Sequence, residues 1–174
     1  MRHWKPGFYV VAVLWAGGPA SAELAQVKTP APVIYLAENL DEADGLGWCI
    51  DTVGRGFAES LHAHSCKPQG GDVQFSFDEA SGALRSVAFD GKCVQVSPSG
   101  ATTDFSLLDC DPAISGQRFT FDPDSGGIRP QDTPESCVAV GEGSRSAGPF
   151  MSRDLILADC NGVAENHRRW VIQP

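Results

Sequence analysis

Basic residues are scarce in this 174-residue chain: 13 Lys and Arg stand against 22 Asp and Glu, a formal net charge of −9. Such an acidic surface repels phosphate backbones and anionic lipid head groups, so nucleic acid is excluded as a natural partner. Long apolar runs are also missing. The longest, Phe8 to Ala16 (FYVVAVLWA), is too short to cross a bilayer as a helix. No window carries a sustained 3.6-residue apolar period, which argues against a helical domain. Catalytic phrases are absent: there is no G-x-S-x-G, H-E-x-x-H or P-loop. No C-x-x-C grouping suggests a zinc site, and no cofactor is implied.

What the N-terminus does contain is ordered like a secretory signal. Arg2 and Lys5 precede the short apolar run, and Ala20-Ser21-Ala22 has the small-residue form of a cleavage site. A cut after Ala22 is expected, giving an exported protein, secreted or periplasmic. Residues 23–32 are expected to form a flexible leader. With Arg2 and Lys5 removed, 11 basic residues face 22 acidic ones, for a net charge of −11. All six cysteines follow the cut, and an even count behind a signal predicts disulfides.

The cysteines are periodic. Cys49, Cys93 and Cys137 are 44 residues apart, opening the phrases CIDT, CVQV and CVAV. Cys66 and Cys110 are again 44 apart, with Cys160 50 further on, closing LHAHSC, FSLLDC and LILADC. Aromatic phrases follow: VQFSF from Val73, QRFTF from Gln117 and RRWVI from Arg168. Next come SGALRS from Ser81 and SGGIRP from Ser125. Landmarks recurring in one order at one period mark an internal repeat, with units of about 49–92, 93–136 and 137–174. The segments are short, alternating and bounded by Gly, Pro, Asp and Ser, so they predict strands and an all-β fold. Phe75, Phe119 and Trp170 are the expected core aromatics, one per repeat, with Phe77, Phe121 and Ile172 alternating beside them. The third unit spaces its cysteines by 23 instead of 17; the extra residues, in GSRSAGPFMSRD, predict a longer surface loop. It also lacks a third SG-x-hydrophobic-R phrase before Pro174. Val33 to Leu36 is therefore expected to supply the closing strand beside the C-terminus.

Three cysteine-bounded units, each ending in a degenerate Q-x-W position, resemble the ricin B-type β-trefoil lectins over roughly residues 33–174. The resemblance implies a β-trefoil with one disulfide inside each repeat: Cys49–Cys66, Cys93–Cys110 and Cys137–Cys160. Each bridge would contribute roughly 3 kcal/mol in the chain-entropy model. It also implies shallow sugar pockets. In these an Asp after the first cysteine accepts hydrogen bonds from a diol, and an aromatic before the second stacks on the ring. A polar residue ahead of the Q-x-W position completes the set.

Carried onto this chain, the first repeat has Asp51, His64 and Asp72 at those positions, with His62 on the same strand face as His64. The second has Gln95, Leu108 and Gly116; the third has Ala139, Ala158 and His167. A carbohydrate site of Asp51, His62, His64 and Asp72 is expected, with glycans or glycoconjugates as partners. Two other readings of these residues stay open: Asp51 as a turn carboxylate ahead of Gly54, and Asp51 with both histidines as a metal set. Two competing functions also stay open. One is a non-enzymatic interaction or targeting subunit that uses a lectin scaffold to hold a partner protein. The other is an inhibitor with a reactive loop at 147–153.

Overall fold

We analysed a computed structural model of the protein, in which Met1 and residues 23–99 and 102–174 are described. The expected signal segment thus lies outside the described residues. The chain forms β1 (Val33–Leu36), β2 (Trp48–Thr52), β3 (Leu61–Ser65), β4 (Phe75–Asp78), β5 (Ala83–Ser86) and β6 (Lys92–Ser99). It continues through β7 (Thr102–Asp109), β8 (Phe119–Asp122), β9 (Gly127–Pro130), β10 (Ser136–Ala147), β11 (Phe150–Asp159) and β12 (Trp170–Gln173). All named pairings are antiparallel. Among the described residues, four strands per repeat, three repeats and almost no helix make an all-β trefoil. No helix among the described residues is long and apolar enough to cross a membrane.

Closure follows the expected route. Val33–Leu36 pairs with β12 from Val33↔Gln173 to Leu36↔Trp170. This repeats the β4–β5 pairing that starts at Phe75↔Ser86 and the β8–β9 pairing that starts at Phe119↔Pro130. The turn glycines explain the recurring SG phrase. Gly82 (φ +72°) and Gly126 (φ +68°) lie in the left-handed region, and each accepts from the next aromatic strand: Phe119 N and Trp170 N donate to their carbonyls at 2.8 Å. A Cβ there would come within 2.5 Å of Phe119 O or 2.8 Å of Trp170 O, so a side chain would break this stitch.

The three aromatics are buried to the same degree, with Phe75, Phe119 and Trp170 at most 1% exposed. Around them pack Ile50, Val94 and Val138, also 44 residues apart, with Leu61, Phe105 and Leu155 from the facing strands. The indole N–H of Trp170 donates to Val138 O at 2.8 Å, so the ring is buried without an orphaned donor. Trp48, whose place the sequence leaves open, is fully buried and donates to Asn39 O, whereas Phe89 only flanks the core. The disulfides are Cys49–Cys66, Cys93–Cys110 and Cys137–Cys160, with Cα separations of 5.0, 5.0 and 5.1 Å.

Two segments differ from expectation. The extra residues of the third repeat do not form a loop: they extend β10 and β11 into a hairpin paired from Ser144↔Arg153 to Ala147↔Phe150 beyond an irregularity after Val140. Residues 23–32, expected as a loose leader, lie along the barrel instead. Ala25 N donates to Ala37 O at 3.1 Å, Gln26 N to Gly45 O at 2.8 Å, and Thr29 Oγ1 to Lys67 O at 2.8 Å. Backbone pairing of this kind leaves no periodic trace in so short a segment.

Candidate functional site

The β2–β3 ladder sets the first-repeat site. Asp51 stands opposite His62, and Cys49 opposite His64, so the acid and both imidazoles share one face. Asp51 Oδ2 is 4.0 Å from His62 Nε2 and 3.6 Å from His64 Nδ1. The Cys49–Cys66 bridge then delivers Lys67, whose Nζ lies 2.8 Å from both Asp51 Oδ2 and Asp72 Oδ1. The contact to Asp72 is a well-formed hydrogen bond, while Asp51 Oδ2 takes an ion pair without hydrogen-bond alignment. Asp51 Oδ1 accepts from Thr52 N at 2.7 Å. The four expected residues are thus brought together, with Lys67 as an unexpected bridge between the acids.

Burial sets the protonation states. Asp51 is 1% exposed, and desolvation raises its carboxyl to about 6 despite the nearby Lys67 ammonium. Burial, followed by the neighbouring His64, Arg145 and Lys67, lowers His62 to about 4. His64 is lowered too, again chiefly by burial, although its bond to Ser65 O opposes the shift. Burial opposes the charge on Lys67, but Asp51 and Asp72 together outweigh it and hold the ammonium above its usual value. At neutral pH both histidines are therefore uncharged, while the lysine is charged between two carboxylates. His64 Nδ1 lies 2.9 Å from Ser65 O, and a carbonyl can only accept, so Nδ1 carries the proton and Nε2 is left as an acceptor. His62 Nε2 is buried without a partner.

A cleft of about 580 Å³ opens over these groups. His62, His64, Lys67, Asp72 and Arg55 line it, as does the hairpin tip Ala147, Gly148, Pro149 and Phe150. Asp51 does not line the cleft; it sits behind Lys67 and the histidines. Lys67 and Arg55 went unnoticed in the sequence, and Phe150 was noted only within the 147–153 segment. For Lys67 the only available signal was its place directly after Cys66. The metal set considered for Asp51 and the two histidines is not assembled: Lys67 Nζ takes the inner face of Asp51. Among the described residues no group of three or more His, Cys, Asp or Glu side chains has metal-holding geometry.

The equivalent positions of the other repeats carry different chemistry, although a smaller cleft of about 430 Å³ opens beside Cys93–Cys110, Asp111 and Gln117 in the second repeat. Gln95 Oε1 accepts from Gln117 Nε2 at 3.1 Å, and Gln117 also donates to Asp109 O. Ala139 is fully buried, and His167 Nδ1 donates to Val140 O at 2.8 Å. Segment 147–153, considered as a reactive loop, is the hairpin turn and the start of β11.

The ricin-type β-trefoil lectin domain family matches residues 80–174, more than half of the chain. No curated protein sequence matches. Among solved structures, similarity extends to the mdaA-1 domain in solution, with a TM-score of 0.57 at 16% identity over 89% of this chain and 98% of that one. A second is an earthworm lectin C-terminal domain mutant in complex with 6'-sialyllactose, with a TM-score of 0.55 at 14% identity over 81% and 95%. A third is the Vibrio vulnificus hemolysin/cytolysin β-trefoil lectin with N-acetyl-D-lactosamine bound, with a TM-score of 0.54 at 16% identity over 72% and 85%. At these identities the likeness is one of fold.

Proposed function

Because the chain belongs to the ricin-type β-trefoil lectin domain family, we propose that it is an exported carbohydrate-binding module holding one glycan weakly in the cleft of its first repeat. One observation carries this reading: two acids, two imidazole rings and an open cleft coincide at the pocket position of the first repeat. In this reading His62, His64 and Asp72 meet sugar hydroxyls. Asp51, with Lys67, holds that wall in register from behind. Export is supported by the signal-like N-terminus and the three disulfides, which persist in oxidising compartments. We take the protein to bind its ligand without turning it over. Asp51 and Asp72 share one lysine instead of standing as separated acid and base.

A second reading, an interaction or targeting subunit, is favoured by the second and third repeats, where Gln95 and Ala139 stand in place of the acid. A lone shallow site gains useful avidity only through multivalent display or a partner.

A glycan array probed with wild type, His64→Ala and Asp72→Asn tests the first reading. We expect each variant to lose at least about tenfold in affinity, the scale of one or two lost polar contacts. Wild-type affinity in both variants would overturn the site. A folded wild type that binds no glycan would pass the lead to the second reading.

A further inference from the structure

We propose that the hairpin tip of the third repeat is the second wall of the first-repeat cleft, where Phe150 offers the stacking face for an uncharged sugar ring. This rests on the first-repeat site proposed above and names what completes it.

The hairpin lengths set the question. The β2–β3 strands have 5 and 5 residues, β6–β7 have 8 and 8, and β10–β11 have 12 and 10. The third repeat is the extended one, yet its own pocket positions are Ala139, Ala158 and a His167 committed to Val140 O. The extension reaches the first repeat instead. Ser152 pairs with His64 and Arg153 with Ala63, which joins β11 to β3. Met151 N donates to Ser65 Oγ at 3.0 Å, and Arg153 Nε to Asp41 Oδ1 at 3.1 Å. The Arg153 guanidinium also covers the Trp48 ring at 5.1 Å. Backbone pairing, a hydroxyl and a largely buried arginine therefore fix the tip in place over the site.

Phe150 is what this placement delivers. Its ring centroid is 5.5 Å from that of His64, at an interplanar angle of 62°. It is half-buried and lines the cleft. A phenyl face is larger and less hydrated than imidazole, so it suits the C–H face of a sugar better than His64 does. His64 is then released to hydrogen bond through Nε2. His62 lines the same cleft as well, with its Nε2 turned inward, buried and without a hydrogen-bond partner.

The charges favour a neutral ring. Lys67 is shared by Asp51 and Asp72, a trio with one surplus negative charge at the inner wall, and Arg55, which lines the cleft without a carboxylate partner among the described residues, brings the sum to zero. An acidic sugar would meet Asp72.

The test is an array of neutral, sialylated and sulfated glycans. It is probed with the full chain produced in an oxidising compartment, as wild type, Phe150→Ala, Phe150→Trp and His64→Ala, each checked by thermal melting. We expect neutral glycans to bind, Phe150→Ala to weaken binding at least tenfold with an unchanged melt, and Phe150→Trp to retain it. If Phe150→Ala binds like wild type while His64→Ala does not, the cross-repeat wall is wrong and the first-repeat site stands. Binding restricted to sialylated or sulfated glycans overturns the uncharged ring. A wild type that binds nothing overturns both proposals.

Discussion

Ile50, Val94 and Val138 are related by 44 residues, and all are fully buried in the shared core. Their immediate neighbours Asp51, Gln95 and Ala139 are related by the same period and share nothing chemically. Adjacent strand residues face opposite sides of a sheet. On the inner face three repeats must fill one close-packed volume, so each contributes a branched aliphatic or an aromatic of similar bulk. On the outer face no such common requirement holds. There one repeat carries an ion-paired acid, the next a glutamine bonded to Gln117, and the third only a methyl. Packing enforces symmetry on one side of each strand and leaves the other free to specialise.

The largest effect should come from breaking the symmetric side. Phe119→Ala removes one of three equivalent buried aromatics and should cost about 3–5 kcal/mol. Gln95→Ala, on the divergent side of the same repeat, should cost about 1 kcal/mol, the worth of an ordinary hydrogen bond. Urea unfolding of both variants measures the difference directly. Similar losses in the two would mean that the inner face does not carry the fold.

A smaller loss is expected from the specialised side of the first repeat. Lys67→Met leaves Asp51 buried with no ammonium beside it. Orphaning a buried charge can cost 3–5 kcal/mol; about 2 kcal/mol is expected here, because Thr52 N–H still serves Oδ1. Protonating Asp51 relieves this cost. Losing Lys67 pushes the variant's carboxyl above the wild-type value of about 6, so the gap between wild type and variant should shrink as the pH falls from 7 to 5 and both carboxyls become protonated. A gap that stays constant would show that Lys67 acts through packing of its stem and not through its charge.

The sequence and the structure agree where the symmetric face governs and part where it does not. The recurring order of landmarks located Phe75, Phe119, Trp170 and the closing strand, because each follows from like repeats around one core, and the family resemblance paired the six cysteines within their repeats. The resemblance pointed to Asp51, His62, His64 and Asp72; strand register gathers the first three, and Lys67, placed by the Cys49–Cys66 bridge, ties Asp72 to Asp51. Lys67 was invisible because its role arises from the depth of Asp51, and burial depth is not written in a single residue. The long hairpin was hidden by its own composition. Gly141 to Ala147 reads as loop, and becomes strand because the hairpin that carries it is docked on β3 and Ser65 of the first repeat and on Asp41 ahead of it.

The smallest effect is also the most local to the comparison, because the second repeat has no titrating group where the first has Asp51, His62 and His64. His62 falls from 6.5 to about 4 on folding, so between those values the unfolded chain binds more protons, and stability rises with pH. His64, lowered in the same direction, adds to that rise. Asp51 climbs from 3.8 to about 6, so across that window the folded chain binds more protons, and stability falls as pH increases. The two trends overlap between about 4 and 6 and oppose one another. Two lowered histidines outweigh one raised acid, so wild type should gain stability modestly from pH 4.5 to 6.5. Asp51→Asn removes the opposing acid and should steepen this gain. His62→Gln should flatten it. Gln95→Ala should leave the slope as it is in wild type. Urea midpoints at pH 4.5, 5.5 and 6.5 for the four proteins read these slopes. A wild-type slope retained in both first-repeat variants would place the pH dependence elsewhere and remove the electrostatic half of the contrast between repeats.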